Sequence, residues 1–260
     1  MNHAELVANL QAGGVPLHIL QDLPDLPIDA DGLLIYGSRA RGDAVPSSDL
    51  DMLALVRIPR TSTYSGVVNV SYYTREQLST GIGTLFGAHL RRDSKIIWDR
   101  HGTLTEAIHL MGDVDTARLL SRARGMCELF TNLERDIPKY LPGLARQARY
   151  LLRSCLYARA IADGEPCFSV RELAVRHNDP ALAELLASRQ QREVSIDELY
   201  ECLSRLRLIL SGFPQSRHGS LEATIVNCWG EHSDVLSMAF MALGATGNGS
   251  DYAEVEKILL

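Results

Sequence analysis

"GSRARGDAVPSSDLDM", residues Gly37–Met52, decides how this chain is read. A Gly-Ser pair closes the apolar run "GLLIYG" (Gly32–Gly37), and after ten further residues an Asp-x-Asp stands at the head of a second apolar run, "LDMLALV" (Leu50–Val56). Side chains alternate between the faces of a strand, so Asp49 and Asp51 share one face and Leu50 and Met52 the other. Two carboxylates this close repel each other by roughly 1–4 kcal/mol, depending on the local dielectric. A hard divalent cation offsets that repulsion, and Mg²⁺ typically takes one or two carboxylates together with substrate phosphates. A strand that ends at Tyr36 and turns into a helix at Ser38 presents free backbone N–H groups and the positive end of a helix dipole, which favour a phosphate. Gly37 lets the backbone approach closely, and the Ser38 hydroxyl adds one hydrogen bond. A short helix and a Pro-Ser-Ser turn then return the second strand beside the first. The anion site and the carboxylate pair would face one cleft, as a metal-bound nucleoside triphosphate requires. Gly-Ser alone is an ordinary turn and Asp-x-Asp alone often a solvated edge. Together, at this spacing and between two apolar strands, they point to function.

On either side of this stretch, Ala4–Gln11 has helical spacing, and "GVVNVSYYT" (Gly66–Thr74) reads as a β-branched and aromatic strand. Thr74 with Gln77 forms a capping box that opens a helix, and "KIIWD" (Lys95–Asp99) reads as a short edge strand. After about Asp113 strand signals stop. "TARLLSRARGMCELFTNLERD" reads as the first helix of a second region. A longer one follows, with Leu144, Ala148, Leu151, Leu152, Cys155, Leu156 and Ala158 on one stripe and Gly164 and Pro166 at its end. Ser169 with Glu172 and Ser195 with Glu198 are further capping boxes. "LEATIVNCWGEHSDVLSMAFMALG" reads as one long final helix, and "GATGNGSD" as a glycine-rich break. The fold class is therefore α+β, with a strand-containing domain at 1–112 and an all-helical domain at 113–260.

Composition narrows the function. With 46% hydrophobic and 22% charged residues, the 260-residue chain suits a globular protein. No apolar run reaches the roughly 18 residues that span a bilayer. The N-terminus has neither the basic start nor the apolar core of a secretory signal, so the expected location is cytoplasmic, with no membrane partner. The five cysteines form no C-x-x-C pair and are read as reduced core thiols. A net charge of -6 disfavours a whole-chain grip on nucleic acid.

"YGSRARGDAVPSSDLDMLALV" resembles the signature of the DNA polymerase β-like nucleotidyltransferase superfamily. It is most similar to the small prokaryotic branch of minimal and aminoglycoside nucleotidyltransferases. The strong resemblance covers about Leu33–Val56, and a weaker one runs through "LFGAHLRRDSKIIWDRHG". It implies a small mixed sheet flanked by helices, a helical C-terminal domain, two Mg²⁺ ions (with Mn²⁺ as an alternative), and transfer of a nucleoside monophosphate from a triphosphate, ATP first, with loss of pyrophosphate. Gly37 and Ser38 would hold the triphosphate, Asp49 and Asp51 would be the catalytic metal ligands, and Arg39 and Arg41 are candidates for triphosphate contacts, since guanidinium forks match phosphate oxygens. The acceptor would be a hydroxyl on a small molecule, a protein or an RNA end, and a homo-oligomer or a protein partner is open.

The chain departs from the family at one place. Many members carry a third carboxylate on the following strand, whereas here Asn69 is the best match to that position and Ser71 the second. A base would then come from the helical domain, where Glu128, Glu134 and Asp136, read as lying on its first helix, are candidates. Alternatively, the protein is a nucleotide-binding or antitoxin-like regulatory partner with weak or no transfer. His89 reads as a packed histidine. "RELAVRH" (Arg171–His177) is similar to the Arg-x(4–6)-His element of HEPN-type ribonucleases, but its capping box and short amphipathic helix explain it as structure. Arg146, Arg149, Arg153 and Arg159 read as a solvated or cleft-facing side of one helix.

Overall fold

The structure is a computed structural model that describes residues 3–132, 134–187, 194–231 and 233–244. The chain divides into two compact units, Met1–Val114 and Asp115–Leu260. The fold is α+β: a mixed sheet with flanking helices, followed by a helical region.

Unit 1 runs α1 (His3–Ala12), α2 (Leu17–Leu20), β1 (Ala30–Tyr36), α3 (Gly37–Arg41), β2 (Leu50–Val56), β3 (Thr63–Ser65), β4 (Val68–Tyr73), α4 (Arg75–Ser79), α5 (Leu85–Asp93), β5 (Lys95–Asp99) and α6 (Thr103–His109). The strand order is β3-β4-β2-β1-β5. β2 pairs parallel with β4, and the other pairs are antiparallel. The stretch read as a single strand from Gly66 is in fact the end of a hairpin. Gly66, at φ +55°, turns the chain from β3 into β4, and pairing resumes at Val68.

β1 and β2 are nearly continuous apolar runs because both of their faces are covered. On one face Leu33, Ile35, Met52, Ala54 and Val70 pack with Leu6, Leu10 and Ile19 of α1 and α2. The other face carries Leu34, Leu53 and Leu55, all buried, below α5 and α6. There Tyr36 and Tyr73 both touch Phe86 of α5, with ring centroids 6.1 and 5.8 Å apart. Each such buried side chain contributes about 1.5–3 kcal/mol. α4 opens with the Thr74–Gln77 capping box, both halves of which are formed.

Unit 2 runs α7 (Thr116–Met126), a 3₁₀ turn (Cys127–Phe130), α8 (Ile137–Ala162), α9 (Val170–Arg176), α10 (Pro180–Leu185), α11 (Ile196–Leu210), α12 (Leu221–Asn227) and α13 (Asp234–Leu243). The expected stripe on α8 is buried throughout and joins Leu199, Leu203 and Leu206 of α11 in one core. α13 crosses α8 so closely that a Cβ on Gly143 would collide with the Ala242 carbonyl. Ser169 and Ser195 cap α9 and α11 by accepting from the N–H groups of Glu172 and Glu198. All five cysteines are buried and free. Burial pushes Cys155 and Cys202 up to about 12, so these thiols stay protonated and unreactive.

Two helix readings are corrected. The first helix of unit 2 ends at Met126, so Glu128 lies on the 3₁₀ turn, Glu134 in the following turn, and Asp136 at the N-cap of α8. The single final helix is two. Gly230, at φ +89°, breaks it after α12, and Ser233 caps α13 anew. Past Gly244, the "GATGNGSD" segment lies outside the described residues. Among the described residues no helix is long and apolar enough to cross a membrane.

Candidate nucleotide and metal site

β2 is buried from end to end except at Asp51, which is half-buried. Strand pairing explains what surrounds it. Asp51 stands opposite Tyr36, the last residue of β1, and on its other side opposite Asn69 of β4. Asn69, also half-buried, donates from Nδ2 to Asp51 Oδ1 at 3.3 Å. Its Oδ1 is buried and accepts no hydrogen bond among the described residues. Asn69 therefore stands beside Asp51 on the same face of the sheet, and Ser71 follows on that face, opposite Leu53.

Gly37 follows directly on Tyr36 and turns the chain into α3. Its φ of +74° is a left-handed value that favours glycine. A Cβ there would lie 3.0 Å from Asp51 Oδ2, so the glycine also leaves space for the carboxylate. Ser38 and Asp49 are half-buried, and Asp49 immediately precedes β2. Gly37, Asp51 and Asn69 are thus brought together by contact and by strand pairing.

Arg39 and Arg41 are engaged within unit 1. Arg39 donates from Nε and Nη2 to the Ser48 carbonyl, at 3.1 and 2.5 Å. Arg41 donates from Nη1 to Asp93 Oδ2 at 3.1 Å and pairs with Asp43 at 3.3 Å. His89 packs edge-on against Tyr36 and lies 3.6 Å from the buried Asp93 carboxylate and 3.3 Å from Arg41 Nη1. It is a packed histidine in a charged cluster, one turn of helix from Asp93.

Two of the candidate bases of unit 2 have structural partners. Glu128 accepts from the Arg217 backbone N–H and from its Nε, at 3.0 and 3.1 Å. Asp136 is buried and accepts the Leu221 N–H at the start of α12. Burial raises its carboxyl above the usual range, against the lowering effect of that N–H. Glu134 is exposed. His177 is exposed at the end of α9, while Arg149 of the α8 arginines is buried and Arg146 reaches the Met241 carbonyl at 3.3 Å.

Carboxylate and amide oxygens of this kind would suit Mg²⁺ or Mn²⁺ rather than zinc. Among the described residues no group of three or more His, Cys, Asp and Glu side chains is placed to hold a metal. Arg39 was a candidate for triphosphate contact. Its partner is a backbone carbonyl nine residues away, which no residue pattern could announce.

No protein-family model matches the sequence, and no curated protein does. Among solved structures, a nucleotidyltransferase-like protein from Exiguobacterium sibiricum 255-15 is similar at a TM-score of 0.32 and 16% sequence identity, over 71% of this chain and 69% of that one.

Proposed function

We propose that the protein is a metal-dependent nucleotidyltransferase of the DNA polymerase β-like kind. It would move a nucleoside monophosphate from a triphosphate, ATP first, to a hydroxyl on a small molecule, a protein or an RNA end. The observation that carries this reading is the row Tyr36–Asp51–Asn69 across three strands, with Gly37 folded against the Asp51 carboxylate. A carboxylate inside an otherwise buried strand, next to a glycine kept free of a side chain, is what a cation-bound phosphate needs and what a core does not.

Asp49, Asp51 and Asn69 Oδ1 would hold the cation, and Gly37 and Ser38 the triphosphate. The bound cation would supply charge neutralisation at the phosphoryl group and orient the reacting oxygens. In the transfer, the acceptor oxygen bonds to the α-phosphorus as the bond to the bridging oxygen breaks. Pyrophosphate leaves with that electron pair, and the hydroxyl proton passes to a carboxylate or to solvent.

Asn69 favours a second reading. An amide binds a metal weakly and takes no proton at neutral pH, so a nucleotide-binding regulatory partner without transfer also fits. The test is incubation with each labelled triphosphate and Mg²⁺ or Mn²⁺, in parent and Asp49→Asn, followed through pyrophosphate release and labelled acceptors in lysate. Release by the parent alone supports the enzyme. No release, with a melting shift that needs both metal and triphosphate, supports the binding protein. A ligand at about 100 times its dissociation constant adds about 2.7 kcal/mol, a shift of about 5–10 °C at this size. With neither signal, both readings fail.

A further inference from the structure

We infer that Arg39 is a positioning residue for the Asp49 carboxylate, acting through the Ser48 carbonyl; this rests on the metal site proposed above. α3 is only five residues long and ends at Gly42, whose φ of +88° turns the chain away. The loop that follows closes on itself: the Val45 N–H donates to Ser48 Oγ and the Ser48 N–H to the Val45 carbonyl, both at 2.9 Å. Those bonds shape the turn but do not attach it to α3. The Arg39 guanidinium does, with two N–H groups on the one oxygen of Ser48.

The position of that oxygen matters because the peptide unit is planar. The Ser48 carbonyl and the Asp49 N–H belong to the same plane, so holding the carbonyl fixes the direction from which the chain reaches Asp49. On the far side, the Leu50 N–H is held by the Val67 carbonyl at 2.8 Å. Asp49 is thereby clamped between Arg39 on one side and the sheet on the other. A metal ligand outside a strand needs such support, since a carboxylate that swings freely loses ordering entropy on binding. Lysine cannot replace the clamp. Its ammonium is a point charge on a flexible stem, while the planar guanidinium presents two donors in fixed register.

The test uses Mn²⁺ alone, without nucleotide, on the full chain, with free Mn²⁺ followed by electron paramagnetic resonance. Arg39→Gln and Arg39→Lys are compared with the parent, and melting curves show that each is folded. Positioning predicts that both variants bind Mn²⁺ about 10-fold more weakly or worse, the range seen when groups that orient metal ligands are lost. The sign separates this role from a plain charge effect, because removing a cation near a cation site should tighten Mn²⁺ binding in Arg39→Gln. Unchanged or tighter binding in both variants, with KM for the triphosphate raised, overturns the inference and makes Arg39 a phosphate contact. Should Arg39→Gln fail to fold, Arg39→Lys, which keeps the charge, carries the comparison. A parent that binds no Mn²⁺ overturns the metal site and the inference together. A parent that binds Mn²⁺ while the variants bind it equally overturns the inference alone.

Discussion

Asn69 donates a hydrogen bond to Asp51 from the neighbouring parallel strand, 3.3 Å from Nδ2 to Oδ1. A neutral amide donor beside Asp51 avoids the repulsion that a second carboxylate at this place would bring. Asn69→Asp should therefore destabilise the metal-free protein, by roughly 1–4 kcal/mol from like-charge repulsion and the lost hydrogen bond. It should also tighten Mn²⁺ binding. Melting with a chelator and with Mn²⁺ reads both effects. A variant that melts like the parent in both conditions would show that position 69 does not share a site with Asp51.

Gly37→Ala should cost about 1–2 kcal/mol from the left-handed backbone alone. The new Cβ would also stand 3.0 Å from Asp51 Oδ2, forcing the carboxylate to move. The expected result is a modest loss of melting temperature with a disproportionate loss of the shift produced by metal and triphosphate. Equal losses in the two would make Gly37 a turn residue and nothing more.

Asp136→Asn distinguishes a base from a helix cap. Asp136 accepts the Leu221 N–H while buried, and burial holds its carboxyl above the usual range. A raised carboxyl weakens the fold once it ionises, so at neutral pH the neutral amide, which still accepts a hydrogen bond, should leave stability equal or higher. Transfer should persist. Urea unfolding at pH 7 and pyrophosphate release check the two halves, and loss of release in a well-folded variant would make Asp136 the base.

Glu222 supplies a pH dependence. Its own backbone N–H, then the Tyr140 hydroxyl and Lys139, hold its carboxyl down to about 2, from an ordinary value of 4.5. The folded value is the depressed one. The stabilisation is therefore fully present above about pH 4.5 and is lost as pH falls towards about 2. The difference in urea midpoint between the parent and Glu222→Gln should be constant from pH 7 to 5 and close below pH 4.5. A difference unchanged at pH 3 would mean that the bonds from Tyr140 and Lys139 to Glu222 do not stabilise the fold.

Features that depend on near neighbours were legible in the residues alone. β1 and β2, the strand-to-helix turn at Gly37, the capping box at Thr74, the caps at Ser169 and Ser195 and the buried stripe of α8 all follow from periodicity and from side chains reaching their own backbone a few residues away. The two breaks that the sequence hid are also local, but Glu128 and Trp229 continue a helical pattern to the eye while the backbone turns at Cys127 and Gly230. Tertiary structure decided the choice of distant partners. Alternation put Asn69 and Asp51 each on a face of its own strand, but only the parallel pairing of β4 with β2 made them neighbours. Only folding committed Glu128 to Arg217 and Asp136 to Leu221, 89 and 85 residues away, and set Arg39 on the Ser48 carbonyl. A guanidinium or a carboxylate carries the same charge in every context. Which oxygen or N–H stands within 3 Å of it is set by how strands and helices pack, and that information is not local to any stretch of the chain.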